Sequence, residues 1–281
     1  MAGILYLCAT PIGNLEDITL RVLRILKEAD LIAAEDTRNS IKLLKAYDIR
    51  TPLTSYHEFN KYEKGPVLIE KLKEGQNIAL ITDAGTPGIS DPGELLVQMA
   101  YEAGITVSSL PGACACVTAL TMSGLATRRF CFEAFFPPDK KERAFVLETL
   151  KNETRTIIVY EAPHHLLSTL RELSDCLGNR RLSVCRELTK LHEEVFATTI
   201  DDAIVFYEQH EPKGEFVLVL EGRSQKELKD EDTAHWLEMP LEEHMQLYLS
   251  QGLDKKSAMK AVAKDRDIPK SEVYRQLLSG Q

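Results

Sequence analysis

From residue 1 to about 124 the apolar positions along the chain alternate between two rhythms. Short aliphatic runs at residues 4–8, 31–34, 53–56, 78–82 and 106–110 read as strands. Between them apolar residues return every three or four positions, as at Ile18, Val22, Leu26 and Ala29, and predict helices there and at 40–46, 62–73, 94–103 and 113–123. Strands that alternate with helices make a mostly parallel sheet covered by helices. After Gly124 the rhythm changes: strands are predicted at 130–136, 156–160, 182–187, 195–199 and 215–221, with helices near 141–151 and at 165–176. Several of these strands follow one another with no helix between, which points to a mixed or antiparallel second sheet. Residues 222–232 are polar and charged, the composition of a linker. Beyond them three short helical patterns, 241–249, 256–264 and 270–278, are separated by Gly252 and by Ile268-Pro269 and resemble a helix-turn-helix module. The expected fold class is α/β, with an N-terminal α/β domain over 1–112, a second over 113–224, and a linker with a small C-terminal helical module over 225–281.

Composition narrows the picture. With 44% hydrophobic and 27% charged residues among 281, a sizeable core is available, and disordered or repeat-dominated chains are excluded. The longest apolar runs fall far short of the roughly 20 residues that a bilayer crossing needs. The first residues, Met-Ala-Gly-Ile-Leu-Tyr-Leu-Cys, lack the basic and long apolar segments of a secretion signal, so a cytoplasmic protein with no membrane partner is expected. The six cysteines, Cys8, Cys114, Cys116, Cys131, Cys176 and Cys185, lie mostly inside apolar runs, where a thiol behaves as a small hydrophobe. Cys114-x-Cys116 has the wrong spacing for a zinc knuckle and His164-His165 lacks a third ligand, so no metal is expected. A net charge of −9 disfavours broad adhesion to nucleic acid. Positive charge nevertheless gathers at 38–50, 128–143 and 255–275, so a polyanion would be held regionally.

The densest group of backbone-permissive residues, Thr82-Asp83-Ala84-Gly85-Thr86-Pro87-Gly88-Ile89-Ser90-Asp91-Pro92-Gly93, follows a buried strand and precedes a helix. Ligands of open α/β sheets sit at the carboxyl ends of strands, where glycines let a backbone approach closely. A second such turn, Pro111-Gly112-Ala113-Cys114-Ala115, follows the next strand, and the two loops can frame one site. Dinucleotide, P-loop and nucleophile-elbow fingerprints are all missing.

Seven motifs carry a resemblance. They are Ala9-Thr10-Pro11-Ile12-Gly13-Asn14-Leu15, Ala34-Glu35-Asp36-Thr37-Arg38, Ser55-Tyr56-His57-Glu58, the 83–93 loop, Tyr160-Glu161-Ala162-Pro163-His164, Arg186-Glu187-Leu188-Thr189-Lys190 and Lys213-Gly214-Glu215. In this order, from residue 4 to about 222, they resemble the ribosomal RNA small subunit methyltransferase I family, the RNA-modifying branch of the tetrapyrrole methylase superfamily. The resemblance implies two α/β domains of the tetrapyrrole methylase (class III methyltransferase) type with a cleft between them. It implies transfer of a methyl group from S-adenosylmethionine to the ribose 2′-hydroxyl of a cytidine in the decoding region of small-subunit (16S) ribosomal RNA, recognised within the assembled 30S subunit by a homodimer. Carried over by position, the donor would meet Pro11, Asp83, Gly85, Thr86, Ile89, Ala113, Cys114, Tyr160, Lys213 and Gly214. Ala113 departs from the proline or isoleucine that relatives often carry, at a position expected to contribute backbone groups.

Methyl transfer is an in-line displacement that requires alignment and exclusion of water, and a ribose hydroxyl needs a base. The expected catalytic residues are Glu35, Asp36, Arg38 and His57, with Glu187 or Lys190 as further candidates for the base. Bland readings stand beside them. Asp36 can cap the next helix and pair with Arg38, Arg38 can grip a phosphate, and His57 can be a solvated loop residue. Of Phe135 and Phe136, at least one belongs in the core, while the other can stack on a base. The lysines of the tail suit either RNA or a protein partner. Two other functions remain open: methylation of a tetrapyrrole or other small metabolite, and a non-catalytic assembly factor that binds an adenosine ligand or RNA.

Overall fold

The computed structural model describes residues 1–279, apart from the side chains at 232 and 279. The first five predicted strands form one parallel sheet. These are β1 (Ile4–Cys8), β2 (Leu31–Ala34), β3 (Leu53–Ser55), β4 (Ile78–Ile81) and β5 (Thr106–Leu110), in the order β3-β2-β4-β1-β5. Successive side chains on a strand point to opposite faces, and here they feed two cores. Cys8, Ile32, Ala34, Ala79 and Ile81 pack with Val22 and Leu26 of α1 (Leu20–Glu28) and Leu44 of α2 (Thr37–Ala46). Leu5, Ala33, Ile78 and Leu80 pack with Leu68 and Leu72 of α3 (Lys61–Lys73) and Leu96 of α4 (Glu94–Glu102). Each fully buried valine, leucine or isoleucine among them contributes roughly 2 kcal/mol. From β1 the chain leaves through α1 toward one face, and from the neighbouring β4 through α4 toward the other. The loops after these adjacent strands therefore diverge, which makes the topological switch point at which open α/β sheets leave a crevice.

The second sheet comprises β6 (Phe130–Phe135), β7 (Thr156–Glu161), β8 (Arg181–Arg186), β9 (Glu194–Thr199) and β10 (Phe216–Leu220), in the order β6-β7-β10-β8-β9. Only the β6–β7 pair is parallel, so the sheet is mixed, as the sequence pattern implies. Helix α5 (Ala115–Met122) lays Cys116, Ala119 and Leu120 on Ile158, Cys185, Val217 and Val219. Helices α6 (Lys140–Leu150), α7 (Leu166–Leu177) and α8 (Ile200–Gln209) follow in chain order, α7 and α8 packing on each other. Helix α8 was not anticipated. Its run Ala203-Ile204-Val205-Phe206-Tyr207 is β-branched and aromatic, yet Thr199 caps its start by accepting from the Asp202 N–H at 3.3 Å and two aspartates sit in its first turn.

The chain divides into two compact units, residues 1–148 with 155–221, which hold both sheets, and residues 149–154 with 222–281. In the second unit the expected linker over 222–232 is corrected: from Gln225 it is helical, as α9 (Gln225–Glu238). Ser224 and Glu227 form a reciprocal capping box, and the glutamates, lysines and leucine that make the segment look like a tether are also good helix formers. The three later patterns are α10 (Leu241–Ser250), α11 (Lys255–Asp265) and α12 (Lys270–Ser279), whose core includes Leu241, Met245, Met259, Val262 and Val273. The Trp236 ring stacks on buried His244 at 4.2 Å, and Arg266 Nε donates to His244 Nδ1 at 3.1 Å. Among the described residues no helix is long and apolar enough to cross a membrane, and no group of three or more His, Cys, Asp or Glu side chains could hold a metal ion.

Candidate active site

The crevice is built first from backbone. Thr10 and Gly85 exchange N–H···O bonds in both directions, at 2.8 and 3.0 Å, which joins the loops after β1 and β4. The Thr10 hydroxyl adds a bond to the Thr82 carbonyl at 3.1 Å. Gly85 has φ +82°, a conformation that glycine adopts without strain. The Thr86 hydroxyl donates to the Ala113 carbonyl at 2.9 Å and ties this loop to the turn after β5. On the other flank Gly13 runs so close to Lys190 that a Cβ would lie 2.4 Å from its Cγ. Lys190 Nζ in turn donates to Glu187 at 2.9 Å and to Glu215 at 2.8 Å, and so links the first loop with the second sheet.

A cavity of about 500 Å³ lies between the two sheets, in the size range of small-molecule sites. Ile12, Glu35 and residues 83–86 and 89–91 form one wall. Phe135, residues 160–163, Leu188 and residues 215–217 form the other, with Cys114 and Ala115 at the start of α5.

Of the expected donor-binding residues, Asp83, Gly85, Thr86, Ile89, Cys114 and Tyr160 line this cavity. Pro11, Ala113, Lys213 and Gly214 lie off its wall. Ala113 acts through the carbonyl that holds Thr86. The Lys213 carbonyl accepts from Arg186 Nε at 2.6 Å, and its ammonium pairs with Glu211 at 3.0 Å. At Gly214, φ +90°, a Cβ would meet Glu187 Oε1 at 2.5 Å, so glycine is what lets this segment pass. Of the four expected catalytic residues, only Glu35 reaches the wall. Asp36 is the N-cap of α2, accepting the Arg38 N–H at 2.8 Å and two bonds from its guanidinium at 3.1 and 2.7 Å. Arg38 itself is 88% exposed. The His57 N–H donates to Asn60 Oδ1 at 2.8 Å, and its buried Nδ1 has no hydrogen-bond partner. Phe136 is buried beneath the Arg143 guanidinium, whereas Phe135 is exposed and meets the Tyr160 ring edge-on at 5.6 Å.

Burial pushes the Glu35 carboxyl above its ordinary range, opposed by a 3.3 Å bond from the Asp83 N–H. Asp91, which sequence reasoning did not single out, is pushed up to about 7 by burial and by the neighbouring charges of Glu35 and Asp83. Asp36 goes the other way, held at about 2 chiefly by the Arg38 side-chain hydrogen bonds. The Cys114 and Cys116 sulfurs lie 3.4 Å apart. The Cys116 hydrogen bond lowers the Cys114 thiol to about 6, while Cys116 is raised by the same contact and by burial. The Tyr160 oxygen accepts the Cys116 N–H at 3.0 Å, fixing the ring against the start of α5.

A switch-point parallel sheet facing a mixed sheet across an acidic, glycine-edged cavity defines a two-lobed α/β protein with a small-molecule site. The sequence profile of the Tetrapyrrole (Corrin/Porphyrin) Methylases matches residues 4–204. A Halalkalibacterium halodurans protein named ribosomal RNA small subunit methyltransferase I is 49% identical over 272 residues, covering 97% of this chain and 93% of the relative. A Bacillus subtilis protein of the same name is 48% identical over the same span and the same shares. Among solved structures, a diphthine synthase superposes with TM-score 0.62 over 79% of this chain and 91% of its own, at 13% identity, a likeness of fold alone. The chain belongs to the tetrapyrrole methylases and, within them, to the ribosomal RNA small subunit methyltransferase I family. It is a methyltransferase.

Methyltransferases generally draw the methyl group from S-adenosylmethionine, which is cationic at sulfur. The cavity suits that group. Glu35, Asp83 and Asp91 give its wall negative charge, and among the described residues that line it there is no lysine or arginine. Ile12, Ile89, Phe135, Leu188 and Val217 supply apolar surface of the kind a purine ring covers. The wall residues missed by sequence reasoning are mostly neighbours of residues it found. Glu161, Ala162 and Pro163 stand beside Tyr160, and Glu215 beside Gly214 within quoted motifs. Ser90 lies within the quoted 83–93 loop, while Phe216 and Val217 carried no separate signal.

Proposed function

We propose that this chain transfers the methyl group of S-adenosylmethionine to the ribose 2′-hydroxyl of a cytidine in the decoding region of 16S ribosomal RNA, acting on the assembled 30S subunit as a cytoplasmic homodimer. The observation that carries this reading is the 49% identity, over nearly the whole length of both chains, to a protein named for methylating small-subunit ribosomal RNA. When bound, the donor supplies an electrophilic methyl group. Asp83, Gly85, Thr86, Ile89, Cys114 and Tyr160 hold it, and Pro11, Ala113, Lys213 and Gly214 set the loops that carry them. Phe135 and Tyr160 line the cavity and shield part of it from water, which strengthens the electrostatic contacts inside. Glu35 contributes negative charge opposite a cationic ligand. Asp36 locks the start of α2 so that the outward Arg38 can meet an RNA phosphate, a contact its planar fork suits. His57, on the loop before α3, contributes to the field around Glu35.

The test uses 30S subunits from cells that lack the enzyme, purified protein and labelled donor. Label is expected in 16S RNA, on a cytidine whose adjoining phosphodiester becomes resistant to alkali, as a blocked 2′-oxygen requires. Label on a porphyrinoid but not on the subunits would assign the chain to small-molecule methylation. Donor binding with no transfer to any subunit preparation would make it a non-catalytic binding factor.

A further inference from the structure

Two of the six cysteines stand side by side where the cavity meets α5. Cys114, the half-buried N-cap of that helix, lines the cavity, and Cys116, in the first turn, is buried against the second sheet. Their sulfurs are 3.4 Å apart, within reach of a thiol hydrogen bond. The backbone around them is held on both sides. The Thr86 hydroxyl donates to the Ala113 carbonyl at 2.9 Å, and the Thr118 N–H and hydroxyl both donate to the Cys114 carbonyl, at 3.0 and 2.9 Å. The Cys116 N–H donates to the Tyr160 oxygen at 3.0 Å. With the backbone fixed, side-chain rotation is the motion left to bring the sulfurs to the roughly 2.0 Å of a covalent link.

The two thiols have opposite chemistry. The hydrogen bond with Cys116, joined by the N–H groups of Val117 and Cys116, outweighs burial and holds Cys114 at about 6, so near neutrality a thiolate faces the cavity. Cys116 is raised by the same contact and by burial and keeps its proton. A reachable thiolate in contact with a second thiol is the arrangement in which one oxidised sulfur is captured by its neighbour before oxidation goes further. Burial pushes Cys8 up to about 12 and Cys185 up to about 11, which leaves those thiols unreactive. The wall also selects the oxidant. Its acidic side chains repel an anion such as the disulfide of glutathione, whereas a small uncharged hydroperoxide meets no such barrier.

We propose that Cys114 and Cys116 form a hydroperoxide-sensitive modification site, and that their closure into a disulfide lowers the affinity of the cavity for the methyl donor. The second clause rests on the reading of the preceding subsection, that this cavity binds S-adenosylmethionine. The Cys114 thiolate attacks one peroxide oxygen as the O–O bond breaks, which leaves a sulfenic acid and releases hydroxide. The Cys116 sulfur then bonds to the Cys114 sulfur as the S–O bond breaks, and the departing oxygen takes the Cys116 proton and leaves as water. The two sulfurs lose two electrons in all, and the peroxide is reduced to hydroxide and water. The link removes a negative charge from beside a cationic ligand and draws the Cys114 sulfur off the wall toward the core around Cys116.

The full chain, Cys116→Ala and Cys185→Ala are treated with hydrogen peroxide or with glutathione disulfide, with and without dimedone to trap sulfenic acid, and mapped by peptide mass spectrometry. Calorimetry with S-adenosylmethionine follows each protein before peroxide, after it, and after dithiothreitol, each compared with its own untreated state. The full chain is expected to gain a 114–116 link, to lose about tenfold in donor affinity, the scale of one screened charge, and to recover with dithiothreitol. Cys116→Ala is expected to carry dimedone on Cys114 and no link; Cys116→Ser repeats the measurement if the alanine variant does not fold. Cys185→Ala is expected to match the full chain. Peroxide that leaves 114 and 116 unlinked in the full chain, or links either to another cysteine, overturns the site. Linking that is faster with glutathione disulfide than with peroxide overturns the choice of oxidant. A link that leaves donor affinity unchanged overturns its consequence for the cavity. A reduced full chain that binds no donor overturns the reading of the cavity instead, an outcome distinct from the link itself, which mass alone reports.

Discussion

At the scale of single residues, hydrogen bonds and burial sort the ionisable groups by state. Cys114 is the N-cap of α5, and with Cys116 as donor its thiol falls to about 6. The thiolate is the nucleophile, so iodoacetamide should modify Cys114 ahead of the other five cysteines, with a rate that rises through pH 6, and a ligand in the cavity should protect it. Mass spectrometry of partially labelled protein checks the order. Asp36 is the opposite kind of group, an acid held below its ordinary value. Its contribution to stability is fully present above the unfolded pKa and is lost as pH falls toward about 2. Asp36→Ala should therefore lower the thermal midpoint at pH 7, and the difference from the unaltered chain should close near pH 2, while donor affinity at pH 7 stays the same. A large loss of turnover with donor affinity and stability intact would return Asp36 to the reacting centre. Glu35 and Cys114 were legible because both sit in motifs at strand ends. Asp91 was not, because what sets it apart is the company of Glu35 and Asp83, and the adjacency of β2 and β4 exists only once the sheet is ordered.

At the scale of elements, the parallel strands were readable from aliphatic density, since a strand buried on both faces admits little else. All five strands of the first sheet were found to within a residue. Helices failed where composition and context disagreed. Residues 203–207 look like a strand, but a cap and a packed neighbour in α7 keep them helical. Helix α9 has almost no apolar face to betray it, so its capping box is the feature that marks its start. Ser224→Ala should cost about 1 kcal/mol, confined to that helix. Hydrogen exchange of amides in α9 should accelerate while those of β4 and β10 do not; uniform acceleration would mean that the cap supports more than its own helix.

At the scale of the whole molecule, an acidic chain must hold an anionic particle through local charge. Within the second unit, α11 exposes Lys255, Lys256, Lys260 and Lys264. Replacing Lys255 and Lys256 by Glu should weaken 30S binding and reduce the slope of log affinity against log salt by about 1.4, near 0.7 per lost single-strand phosphate contact. An unchanged slope, measured by filter binding across salt, would remove this face from the RNA. Trp236, the sole tryptophan, lies in the same unit against His244, so its fluorescence reports whether such changes disturb the fold there.

The reciprocal pairing of Thr10 with Gly85 also constrains how a ligand gets in. A loop stapled at its base by two backbone bonds cannot swing outward as a hinged flap without breaking both. Admission is left to the tip beyond Pro87 and to the facing rim at Phe135, so the doorway can widen while the threshold stays where it is.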